Sequence, residues 1–176
     1  MVAIIISICL CILVCNFFRK NNNFLDVRII VKNYFVLFSK CKGQCIIIWG
    51  VPIIISISIA IIQVIDSSLL NNLNVILSIL ITMLCSVLSI LCVFNKYEKN
   101  VQYKQLKEQT FNTVLFEIIL CIWLLLISLI LLFVFKYNNV IGVKVFSGII
   151  YYFTMIILLN FFMVLKRIKV LFEFEW

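Results

Sequence analysis

Residues 95–135 read NKYEKNVQYKQLKEQTFNTVLFEIILCIWLLLISLILLFVF, a charged, glutamine-rich run that passes without Pro or Gly into an uninterrupted apolar stretch. The apolar part is long enough to cross the roughly 30 Å hydrocarbon core of a bilayer as one helix. One unbroken helix from residue 97 to residue 135 would be on the order of 58 Å long at 1.5 Å per residue, so about 25 Å of it would project as a stalk. Such a stalk needs a partner: the interfacial helix of the same chain, a second copy, or a soluble protein from the same pathway. A hairpin folding back at Asn100 is the alternative. Within the apolar part stands Glu117, the only charged side chain inside any long apolar span, and charge at that depth marks a functional site by default.

The rest of the composition agrees with a membrane reading. Of 176 residues, 65% are hydrophobic and 12% charged, with mean hydropathy +1.24, which leaves too little polar surface for a soluble fold of this size. The expected fold is an all-α integral membrane protein, one bundle of about five transmembrane helices over 1–18, 45–65, 74–94, 114–135 and 146–165. A single domain, 1–176, accounts for the whole chain.

The first apolar run has no basic residue ahead of it and Arg19 and Lys20 directly after it. That order is the reverse of a secretory signal and reads as a retained span, near the lower length limit. Between it and the second span, Phe24, Val27, Ile30, Val31, Tyr34, Phe35 and Phe38 fall on one side of a helix, opposite Asp26, Arg28, Lys32, Asn33, Ser39 and Lys40. This is an amphipathic interfacial helix, expected at the cytoplasmic side. The simpler form of this reading is a helix that packs beneath the bundle without a special lipid.

In the second span, Pro52 removes the amide that would bond the carbonyl of Ile48, so Gly50 and Pro52 form a candidate hinge. The link DSSLLNN has no Lys or Arg. In the third span Asn74, Ser78, Thr82, Cys85, Ser89 and Cys92 recur at helical spacing on one stripe. Small and polar residues let membrane helices approach closely and hydrogen-bond, so this stripe reads as the best packing seam, or as the lining of a polar path. In the fourth span Thr110, Thr113, Glu117, Cys121 and Ser128 share a similar face. Two uses of Glu117 follow: it reaches cytoplasmic water or pairs with Lys104 or Lys107, or copies from several protomers form a cation-attracting ring at a pore mouth. A proton relay is a third.

The five connecting and terminal segments after the spans carry six, none, four, two and three Lys and Arg. By the positive-inside rule the heavy segments are cytoplasmic, which puts the N-terminus outside and the C-terminus inside a plasma (cell inner) membrane. The +8 formal charge therefore reads as topology and not as a nucleic-acid surface. The tail, ending at Trp176, suits an interfacial anchor. No repeat relates spans two and three to four and five.

Chemistry is excluded more readily than assigned. With no histidine, HExxH proteases, Ser-His and Cys-His hydrolases and His-ligated haem are all removed. Cys41 and Cys45 have neither redox nor metal spacing, and no phosphate loop is present. The expectation is therefore no catalytic residue, no cofactor and no metal: a non-enzymatic, oligomeric membrane effector or channel-like component, controlled by a cytoplasmic protein partner. Its layout is similar to small multi-span effectors of bacterial defence and toxin systems, and the Asn, Ile and Lys bias fits an AT-rich bacterial coding sequence. The competing reading is an accessory or immunity subunit of a membrane transporter complex.

Overall fold

The computed structural model describes residues 27–39, 42–93, 101–135 and 140–173. The expected first span, the charged residues 95–100 and the terminal Trp176 lie outside the described residues. Five helices make up the rest: α1 (Arg28–Ser39), α2 (Lys42–Ile62), α3 (Ser67–Val93), α4 (Val101–Phe135) and α5 (Val140–Glu173). No strand occurs among the described residues.

Among the described residues three stretches are long and apolar enough to cross a membrane: Ser67–Val93, Val101–Leu132 and Gly142–Glu173. The apolar part of α2, Ile46–Ile62, is shorter. α4 is central and packs on α3, α5 and α1, while α2 lies against α5 and α1. Arg167 of α5 bonds the carbonyl of Gln109 on α4, and Ser128 of α4 bonds Asn74 of α3, so neighbouring helices run antiparallel. At the opposite end, Ser147 near the start of α5 accepts the amide of Ile65 just past α2, and the Tyr151 hydroxyl donates to the carbonyl of Gln63. Lys104, Lys107, Lys166, Arg167 and Lys169 consequently gather where α4 begins and α5 ends, with Lys144 at the far end.

The helices are longer than the apolar pattern alone predicts. α3 begins at Ser67, inside the stretch read as a link, because Asp66 caps it: its carboxylate accepts the Leu69 amide at 2.8 Å and the Ser68 hydroxyl at 3.0 Å. Those bonds hold the Asp66 carboxyl below its ordinary value. α5 begins before Lys144 and runs through Lys166, Arg167 and Lys169 to Glu173, so the tail up to that residue is helix.

This extension answers the stalk. The described part of the stalk continues α4 without a break, and its Tyr103, only 4% exposed, packs with Val87 and Leu91 of α3 and Ile168 and Leu171 of α5 around a cavity of about 50 Å³. The described part of the projecting end thus packs on α3 and α5 at Tyr103. Pro52 lies buried inside an unbroken α2, and a Cβ added at Gly50 would meet only Ile46 of its own helix at 3.8 Å. The hinge residues thus sit in continuous helix, where the proline ring is packed.

α1 turns part of the side read as apolar towards protein, while Phe35 of that side and the neighbouring Ile29 and Val36 are exposed. Tyr34 is wholly buried, and Ile30 and Val31 are half-buried against the core, while Arg28 and Lys32 are exposed. Its packing on α4 and α2 matches the simpler reading of a helix seated beneath the bundle.

Candidate functional site

The inward face of α4 is set by a seven-residue line, Thr110, Glu117, Leu124 and Leu131, each with no exposed surface. Opposite it, α3 presents Leu70, Leu77, Leu84 and Leu91 at the same interval, each 5% exposed or less. The Ser128–Asn74 bond of 2.6 Å fixes the register and brings Leu84 level with Glu117. A seven-residue interval keeps two helices in contact over many turns, which is why leucine at that spacing takes the seam.

The expected seam of α3 is therefore on the other side. Ser78, Thr82, Cys85 and Ser89 are exposed, and only Asn74 of that stripe reaches the bundle. Each hydroxyl already bonds a carbonyl of its own helix: Ser78 to Asn74, Thr82 to Ile79 and Ser89 to Cys85. Bonded in this way, the stripe offers a smooth, small-residue surface with no unmet polar demand. Among the described residues nothing packs on it, and the leucines hold the inner seam.

The α4 stripe is treated in the opposite way. Thr110, Thr113, Glu117, Cys121 and Ser128 are all buried, and the two threonines donate to the carbonyls of Leu106 and Gln109. Glu117 is enclosed with no hydrogen-bond partner on either carboxyl oxygen. Among the described residues no side chain, Lys104 and Lys107 included, hydrogen-bonds it. A ring of Glu117 from several protomers would need the helices covering α4 to move aside, since the carboxyl faces the interior of its own bundle.

Around it lies a cluster built by three helices. From α1, Tyr34 stacks on Phe116 at 3.8 Å between ring centroids and donates its hydroxyl to Asn160 Oδ1 of α5 at 2.7 Å. The adjacent Phe35 stacks on Trp49 of α2 at 5.4 Å. From α5, Arg167 donates to Thr113 Oγ1 at 2.8 Å and to the Gln109 carbonyl at 3.3 Å, one turn below Glu117. The buried side-chain atoms without a partner among the described residues are Trp49 Nε1, both Glu117 oxygens and Asn160 Nδ2. All belong to side chains tied to α1 through Tyr34 or Phe35, or adjoining Phe116.

Buried polar groups normally find partners, and an unmet one at a packed site is a mark of function or of a second arrangement. Tyr34, Asn160 and Arg167 were not among the residues singled out from sequence. Asn160 carried a readable signal, as the one amide side chain in the last apolar span. Among the described residues no three His, Cys, Asp or Glu side chains come together to hold a metal.

No family model, curated protein or solved structure matches the chain.

Proposed function

We propose that this chain is a non-enzymatic component of an oligomeric membrane assembly, an effector or channel-like protein, and that α3 is the helix through which copies associate. The observation that carries this reading is the face of α3 that the described residues leave uncovered. Ser78, Thr82, Cys85, Ser86 and Ser89 are exposed along a helix that packs mainly on α4. Lipid tails are as apolar as leucine, so membrane helices gain by meeting over small residues that allow close approach.

In this proposal the membrane is crossed five times. The three long apolar helices are joined by α2, whose shorter apolar length is eked out by its following residues, and by the run 1–18. The basic end of the bundle is cytoplasmic, so the stalk formed by α3, α4 and α5 is the surface a soluble partner would meet. Glu117 serves inside each protomer and not around a shared axis. The test is the mass of the purified protein in detergent with and without Ser89→Phe. A symmetric homo-oligomer that falls to monomer in the variant supports the proposal. A wild-type monomer, or a chain recovered only in a heteromer, transfers the role to the accessory-subunit reading.

A further inference from the structure

We propose that Glu117 is a proton-exchange site within the membrane part of the bundle, and that Arg167 is the cation that replaces its proton. This goes beyond the assembly reading and does not rest on it, because every residue involved belongs to one protomer.

Two neighbouring facts carry the inference. Glu117 is fully enclosed with both oxygens unmet. One turn away on the same face of α4, Thr113 and the Gln109 carbonyl hold the Arg167 guanidinium through neutral acceptors. A guanidinium bonds a carboxylate more strongly than it bonds a hydroxyl or a carbonyl, and does so with two parallel N–H groups. Four residues of helix rise about 6 Å, a distance a flexible arginine side chain covers by changing rotamers. An unpartnered carboxylate at this depth is costly, so Glu117 is stable here with its proton on or with a cation beside it. The structure leaves the carboxyl without a bonded cation and stations one a turn away at Thr113.

The step balances simply. The O–H bond of the Glu117 carboxyl breaks and its proton passes to water. Arg167 releases Thr113 Oγ1 and the Gln109 carbonyl and donates to the two carboxylate oxygens; protonation reverses both changes. Around the site stand Cys121 one turn further along α4, Tyr34 from α1, bonded to Asn160, and Arg167 from α5, held one turn away at Thr113, while α3 contributes Leu84 at this level. Arg167 is the one cation among these groups.

The test uses the full chain in phosphatidylcholine vesicles, with E117Q, R167Q and the double variant, melted at about pH 5 and about pH 9. The expected result is a rescue at the higher pH alone: the double variant melts above R167Q there, while at the lower pH adding E117Q changes nothing. Losses that simply add at both pH values overturn the proposal. Should the variants fail to fold, the unaltered chain is treated with dicyclohexylcarbodiimide, which attacks protonated carboxyls from the lipid phase, and the adducts are mapped by mass. An adduct on Glu117 that fades towards the higher pH supports the exchange. No adduct, or equal labelling at both pH values, overturns it.

Discussion

Two helices of this protein carry nearly the same polar stripe, and the fold turns one inward and the other outward. On α4, Thr110, Thr113, Glu117, Cys121 and Ser128 lie in the interior; on α3, Ser78, Thr82, Cys85 and Ser89 lie on the outside. What separates them is the opposite face of each helix. Behind the α3 stripe stand leucines at a strict seven-residue interval, which fill a helix seam without polar atoms to satisfy. α4 is covered on three sides, by α3, α5 and α1, so even its polar stripe is enclosed. A polar stripe in a membrane helix therefore identifies a face, and its neighbours determine which way that face points.

Substitutions that strike the inner seam are the strongest way to break this comparison. Leu84→Ala removes most of a side chain that is 1% exposed and level with Glu117. It is expected to cost about 2 kcal/mol or more through the cavity it leaves, read as a lower unfolding midpoint in mixed detergent. Ser89→Ala on the same helix is expected to change that midpoint by less than about 0.5 kcal/mol. Equal losses would mean that both faces of α3 are packed within one chain.

Tyr34→Phe keeps the stack on Phe116 but leaves Asn160 with another unmet polar atom. A loss of about 1–2 kcal/mol is expected, with faster amide exchange in α1 than in α3. Smaller again is Ser128→Ala, which removes the hydroxyl bond to Asn74. Interhelical bonds of this kind average about 0.6 kcal/mol in membrane proteins, so the variant should remain folded with a slight fall in midpoint.

The smallest effect lies at the start of α3. Asp66 is held below its ordinary carboxyl value by the Leu69 amide and the Ser68 hydroxyl. Its contribution is accordingly complete above that ordinary value and disappears as the pH falls through the depressed one. Asp66→Ala should speed amide exchange at Leu69 and Leu70 at neutral pH and leave the exchange of α4 unchanged.

Much of the fold was legible. The helical class and the long apolar stretches of α3, α4 and α5 follow from periodicity and length. The helix ends were less so, although Asp66 followed by two serines is a capping signal that places the start of α3 at Ser67. The packing of the stalk on α5 is not legible where α5 is taken to end at its basic residues. Lys and Arg stop a membrane span without stopping a helix, and Ile168 and Leu171 continue the apolar side past them. Of the site, Glu117 stood out as a charge in an apolar run. Tyr34, Asn160 and Arg167 come from elements distant in sequence, and only their packing reveals that they share its surroundings.

The most direct test of the inward and outward stripes is footprinting with an apolar diazirine dissolved in the micelle, on protein diluted to monomer and analysed by mass. The account predicts adducts on α3 at Ile79, Met83, Cys85 and Ser89, and none on Thr113, Glu117 or Cys121 until the chain is unfolded. Labelling of the Glu117 face in the folded chain, with the Cys85 face protected, would contradict it.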